Sequence, residues 1–125
     1  DAGETYYDAN DLYWLSRIIS AESGNQPLDG KIAVGNVVLN RVASPRFPNS
    51  VYEVIFQRNQ FTPAANGSIN RTPSAESVVA AKLCLDGANT AGSALYFVNP
   101  TVAPGSWASR NRPYVATIGA HAFYG

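Results

Sequence analysis

The chain has 125 residues, 46% of them hydrophobic, with nine basic side chains, nine acidic ones, one His and one Cys. That length and apolar content allow one domain with its own core; the lone Cys84 excludes an internal disulfide, no run of about 18 apolar residues offers a membrane span, and no basic-then-apolar leader opens the sequence, as in the trimmed form of an exported protein. Four acids (Asp1, Glu4, Asp8, Asp11) lie in the first eleven residues, leaving five acids against nine bases in a mildly basic body that suits an anionic polymer, with the bases too scattered for a nucleic-acid stripe.

Asp8 to Ala21 reads as an amphipathic helix with a core stripe of Leu12, Leu15, Ile18 and Ile19, and with Tyr13, Ser16, Arg17 and Ser20 on the other face. Glu22 falls on the core stripe, four residues after Ile18 and three after Ile19, just before Gly24 ends the helix. A carboxyl group there is partly desolvated, which favours its neutral form and makes it a candidate proton donor near neutral pH. A glutamate fraying into solvent at a helix end would look the same in sequence.

After a turn over 23–28, a second helix is expected over about 29–42. It is apolar on nearly all sides, with Gly35 permitting a close neighbour, so it is the expected central helix. Asn36 and Asn40 form its polar stripe and are expected to satisfy backbone groups. Ser50 and Glu53 give a capping-box signature for a short third helix, and 60–69 reads as loop. Thr72-Pro73 predicts the start of a fourth helix running to Leu85 and stopping at Gly87, with Val78, Ala81, Leu85 and one of Val79 or Leu83 buried. Ala94 to Val98, Tyr114 to Ile118 and His121 to Tyr124 read as short strands, the last two joined by a two-residue turn at Gly119-Ala120, with loop over 101–112. The fold class is therefore α+β: helices first, then a small antiparallel sheet.

One His, one Cys and no clustered acids cannot supply a metal site, so neither metal nor cofactor is expected. A Cys84/His121 pair is a weak nucleophile candidate, because Cys84 lies in the last turn of a helix, where the dipole disfavours a thiolate. What remains is carboxylate chemistry beside the aromatic side chains Phe61, Tyr96, Phe97, Trp107 and Tyr114, a combination suited to sugars. Glycosidases commonly use two carboxylates. The possible partners of Glu22 here (Asp29, Glu53, Glu76, Asp86) each have a structural explanation, so a one-acid mechanism is attractive.

Several motifs in order carry a resemblance. Ala21-Glu22-Ser23, Gly30-Lys31-Ile32-Ala33-Val34, Val38-Leu39-Asn40-Arg41-Val42, Phe47-Pro48-Asn49 and Gln60-Phe61-Thr62, then Ala94 to Pro100, Trp107, Arg112-Pro113 and Ile118-Gly119-x-His121-x-Phe123, resemble the SleB/CwlJ-type cell wall hydrolases, the spore cortex-lytic enzymes. The resemblance covers about residues 11–124 and implies a single catalytic domain over 1–125, residues 1–10 being an acidic segment. It implies a lysozyme-like or resuscitation-factor-like architecture and cleavage of peptidoglycan glycan strands between N-acetylmuramic acid and N-acetylglucosamine, with Glu22 in the place of the catalytic glutamate. Thr62, Tyr96 and Asn99 are then candidates to orient the sugar, and Phe61 and Trp107 to wall it, with Glu22 in an open groove. The implied product is a 1,6-anhydromuramic end, as in a lytic transglycosylase; the implied setting is an exported monomer in the cell wall or spore cortex, where a regulatory or anchoring protein is a further expected partner. Two departures stand out: Gln26, where relatives often have a second acid, and Val98, where an aromatic is commoner. A hydrolytic muramidase using Glu22, water and Asp29, and a non-catalytic peptidoglycan-binding module, are the competing readings.

Overall fold

The structure, a computed structural model, describes residues 7–125, so Asp1 and Glu4 of the acidic segment lie outside the described residues. Six α-helices and one 3-10 turn are followed or interleaved by three strands: α1 (Ala9–Ser23), α2 (Leu28–Ala43), α3 (Val51–Ile55), α4 (Thr62–Asn66), the 3-10 turn (Ser68–Asn70), α5 (Ala75–Leu85), β1 (Tyr96–Val98), α6 (Trp107–Asn111), β2 (Tyr114–Ile118) and β3 (His121–Tyr124). The α+β expectation holds, and among the described residues no helix is long and apolar enough to cross a membrane.

Asp8 caps α1 by accepting from the Asp11 amide at 3.0 Å. Leu15, Ile18 and Ile19 are fully buried, while Leu12 is only partly so. Ser16, expected on the outer face, is buried, because α1 touches α2, α3, α4 and α5 and its covered sector is wider than one apolar stripe. Its hydroxyl donates to the Tyr13 carbonyl at 3.1 Å, which removes the cost of burying it. The helix runs to Ser23 with Gly24 as its C-cap, so Glu22 sits within the last turn, as expected.

Central helix α2 is buried continuously from Gly30 to Val38. At Gly35 a Cβ would lie 2.6 Å from Cys84 Sγ and 3.0 Å from Ile19 Cδ1, so glycine there lets α5 and α1 close on α2. This contact explains why the expected inner face of α5 is wrong. Ala81 is buried as expected, but its buried companions are Ser77, Ala80 and Cys84; Val78, Leu83 and Leu85 are half-buried, and Val79 is 49% exposed. Close helix approach selects small side chains and turns the valine outward. Asn36 and Asn40 behave as expected: Asn36 Nδ2 donates to the Ala88 carbonyl at 2.8 Å and its Oδ1 accepts from the Thr90 amide, while Asn40 Nδ2 donates to the carbonyls of Gly92 and Ala94. They stitch the 88–94 connection to α2.

Three further elements depart from expectation. Residues 62–70 are helical rather than loop, with Pro63 in the first turn of α4, where its missing amide costs nothing. At α5 the cap is Ser74, whose Oγ accepts from the Ser77 amide at 3.1 Å; Thr72-Pro73 precedes the helix. In the 101–112 segment, Ser106 caps the short α6 by accepting from the Ser109 amide. β2 and β3 form as read and β1 is two residues shorter at its start; together they make an antiparallel sheet in the order β1-β3-β2 with Tyr96 opposite Tyr124 and Ile118 opposite His121. Gly119, at φ +58°, makes the tight turn possible.

Candidate active site

Glu22 lies in the last turn of α1, three and four residues after the fully buried Ile19 and Ile18. Ser23, also buried, donates from Oγ to the Ile19 carbonyl at 2.7 Å, which satisfies a hydroxyl in the core and closes the last turn. Burial pushes the Glu22 carboxyl above the ordinary glutamate range, and desolvation is the cause. Among the described residues no hydrogen bond or ion pair engages that carboxyl, so it is free to give and take a proton.

The other candidate carboxylates are spoken for or exposed. Glu76 Oε1 pairs with Lys31 Nζ at 2.8 Å, Glu53 accepts from the Ser50 hydroxyl at 3.1 Å, and Asp86 accepts from the Tyr7 hydroxyl at 2.9 Å. Asp29 is exposed in the first turn of α2, where its side chain makes no cap bond and its carbonyl accepts from Thr90 Oγ1.

The aromatic candidates converge around a cation that the sequence reading missed. Arg41 is 5% exposed, its guanidinium 4.8 Å from the ring centre of Phe47 and 5.3 Å from those of Phe61 and Tyr96. Its Nε donates to the Leu95 carbonyl at 2.8 Å and its Nη1 to Gln60 Oε1 at 3.2 Å. Burial lowers Arg41 to about 10, with Tyr96 opposing the shift, so it stays charged near neutral pH and serves as the hub on which the rings pack. Trp107 meets Tyr96 edge-on at 5.5 Å and is 55% exposed, leaving ring surface for a ligand. Phe61 is 6% exposed and packs on Phe97, so it has little surface to offer a sugar and braces the cluster from within.

Thr62, exposed, is the first residue of α4, a helix that packs on α1. Asn99 Oδ1 accepts from the amides of Thr101 and Val102, so its side chain shapes its own loop. Three surface depressions, flanked by Arg17 and Arg71, by Phe47 and Glu53, and by Gln57 and Phe61, have no Glu22 lining. Arg41 and the buried Lys31 could both have been found by the reasoning that found Glu22: each is an ionisable residue on a helix whose neighbours are apolar.

The comparisons with known proteins meet this geometry. A cell wall hydrolase family model matches residues 25–124. The chain belongs to the cell wall hydrolase family. That match starts just after Glu22, but the alignments to individual relatives are longer. A spore cortex-lytic enzyme of Bacillus cereus is 38% identical over 117 residues, 94% of this chain, and that of Bacillus subtilis strain 168 is 36% identical over the same length. The chain spans only 45% and 38% of these two relatives. The catalytic domain of the germination-specific lytic transglycosylase SleB from Bacillus anthracis superposes with a TM-score of 0.88 at 37% identity, covering 98% of this chain and 99% of that one. The catalytic domain of the Bacillus cereus SleB protein gives 0.87 at 36% identity, with both chains fully covered. The family and the lysozyme-like fold expected from sequence are thereby shown.

Proposed function

We propose that this hydrolase domain cleaves peptidoglycan glycan strands between N-acetylmuramic acid and N-acetylglucosamine as a lytic transglycosylase, in breakdown of spore cortex at germination. The observation that carries the reading is the desolvated carboxyl of Glu22, unpaired among the described residues, in a domain whose other candidate acids are paired or exposed. Neutral Glu22 protonates the glycosidic oxygen as the C1–O bond breaks and an oxocarbenium-like state develops. The carboxylate then takes the proton from the muramic C6 hydroxyl as its oxygen bonds to C1, closing a 1,6-anhydro ring. One group serves as acid and then base, and no water is consumed. Tyr96 and Trp107 hold the sugar rings, Thr62 and Asn99 orient them, and Phe61 supports the cluster from beneath. The setting is an exported one, in cell wall or cortex. The greater length of the relatives leaves room for anchoring or regulatory segments in the full-length proteins.

The hydrolytic alternative needs a base for water, and the exposed Asp29 offers no observation in its favour. The two mechanisms differ in product. Muropeptides released from purified peptidoglycan by this domain are expected to be one water lighter than hydrolysis products and to resist borohydride at the muramic end, because an anhydro sugar has no free reducing carbon. A dominant population of reducible muramic ends would reject the transglycosylase mechanism.

A further inference from the structure

The turn that follows Glu22 is tied to the sheet through one side chain, Gln26, and every polar group of that residue is engaged. Its amide donates to the Ser23 carbonyl at 2.9 Å, and its carbonyl accepts from Lys31 Nζ. Its side-chain Oε1 accepts from the Ala120 amide at 2.9 Å, and Nε2 donates to Asn25 Oδ1 at 3.1 Å. Lys31 is only 3% exposed, and its charge is answered by Glu76, so the carbonyl of Gln26 is anchored from inside the fold. The side chain runs in a slot between two glycines. A Cβ at Gly119 would overlap Gln26 Oε1, and one at Gly30 would lie 3.3 Å from Gln26 Cβ and 3.7 Å from Ile118 Cγ2. Long polar side chains at a surface turn ordinarily keep their rotamer freedom, and this one has surrendered it.

What the bond joins gives it a purpose. On one side is the turn four residues beyond Glu22; on the other is the β2–β3 turn. Strand β3 pairs directly with β1, with Tyr124 opposite Tyr96. We propose that Gln26 is a positioning residue, a clasp that fixes the acid-bearing end of α1 against the sheet that carries Tyr96, the ring on which Trp107 packs. The inference rests on the reading of Glu22 as the acid and of Tyr96 and Trp107 as the sugar platform. An error of about 1 Å between reacting groups can cost about 100-fold in rate, so a clasp here acts on turnover rather than on affinity.

The test compares Gln26→Ala and Gln26→Glu with the parent on soluble peptidoglycan strands, reading kcat, KM, melting temperature and hydrogen exchange at the Ala120 amide. Gln26→Ala removes the acceptor. It is expected to lower kcat about tenfold with KM within twofold, and to speed Ala120 exchange at least tenfold while α2 amides are unchanged. Gln26→Glu keeps an acceptor for Ala120, with the Asn25 amide turned over to donate, and is expected to restore Ala120 protection and bring kcat within threefold of the parent. The proposal is overturned by a Gln26→Ala kcat within twofold of the parent, by a kcat loss without faster Ala120 exchange, by failure of Gln26→Glu to restore both, or by a general loss of fold in Gln26→Ala. Glu22→Gln run alongside separates the two ideas. Inactive Glu22→Gln with fully active Gln26→Ala removes only the clasp, whereas active Glu22→Gln removes the assignment of the acid and the positioning role with it.

Discussion

Replacing Glu22 by Gln keeps the volume of the side chain and takes away its proton. A positioned general acid contributes about 10²–10⁴-fold, which is about 3–5 kcal/mol of barrier. Here the same carboxyl is asked to protonate the leaving oxygen and then to deprotonate the attacking one, so the loss falls toward the upper end, about 10³-fold or more. Release of soluble muropeptides from purified peptidoglycan measures it, with circular dichroism confirming the fold. The same substitution carries a second signature in stability. Desolvation raises the folded-state pKa of Glu22 above its unfolded value, so the native protein holds this proton to higher pH than the unfolded chain does. The group's favourable contribution is complete below the unfolded pKa and is lost as pH rises through the folded one. Above that range the parent buries a carboxylate that the variant lacks. Glu22→Gln is therefore expected to melt higher than the parent at pH 8, with the gain shrinking as pH falls through the raised pKa and gone below the ordinary glutamate value of about 4.3. For the same reason, parent turnover is expected to decline as pH climbs through the raised pKa. Activity of Glu22→Gln within tenfold of the parent, or a stability difference independent of pH, would refute the reasoning.

Two further outcomes are expected. In Gly35→Ala the new Cβ meets Cys84 Sγ at 2.6 Å and Ile19 Cδ1 at 3.0 Å; overpacking of about 1–3 kcal/mol outweighs a helix-propensity gain of about 1 kcal/mol, so calorimetry is expected to show a melting temperature lower by about 5 °C, and a rise would mean that α5 yields freely. Asp29→Asn is expected to keep turnover within twofold of the parent, since the Asp29 side chain bonds nothing among the described residues; abolished turnover with unchanged melting would bring the hydrolytic mechanism forward.

The parts of this fold legible in sequence are those whose signal is local. The α1 stripe, the apolar residues of α2 broken only by its asparagine stripe, and the Gly119-Ala120 turn each declare themselves within a few residues. Helices α4 and α6, five residues each, are too short to show a period, and both lie in stretches rich in turn formers. Thr-Pro occurs at 62–63 and at 72–73, and only the first pair opens a helix; at the second, Ser74 is the cap and its own amide donates to Ser20 Oγ on α1, a tertiary bond that no local pattern announces. The buried face of α5 was hidden for the opposite reason. Hydrophobicity alone places Val79 inside, and the steric demand of Gly35 against Cys84 overrules it. In the candidate site, Glu22 was legible because a carboxylate interrupts an apolar stripe. The burial of Phe61 and the engagement of Asn99 were not, since both depend on partners distant in sequence or on loop geometry.

The protonation states of the remaining buried groups bear on why one acid would suffice. Burial pushes the Cys84 thiol up to about 12, and the sulfur is occupied in donating to the Ile32 carbonyl at 3.3 Å, so no thiolate is present near neutral pH. Burial pushes His121 down, leaving it neutral there; its ring packs between Phe97 and Phe123, and its Nδ1 has no partner among the described residues to orient it as a base. Arg41 stays charged and is committed to carbonyl oxygens and ring faces. Burial thus moves Cys84 and His121 away from ionisation near neutral pH, while Arg41, though lowered to about 10, stays charged there. For Glu22 alone among these buried groups, burial moves the pKa from the acid side toward neutrality, which is the direction a proton donor requires. Desolvation thus disfavours nucleophilic cysteine chemistry while it favours Glu22 as a proton donor, and in the one-acid mechanism proposed above the nucleophile is the substrate's own C6 hydroxyl.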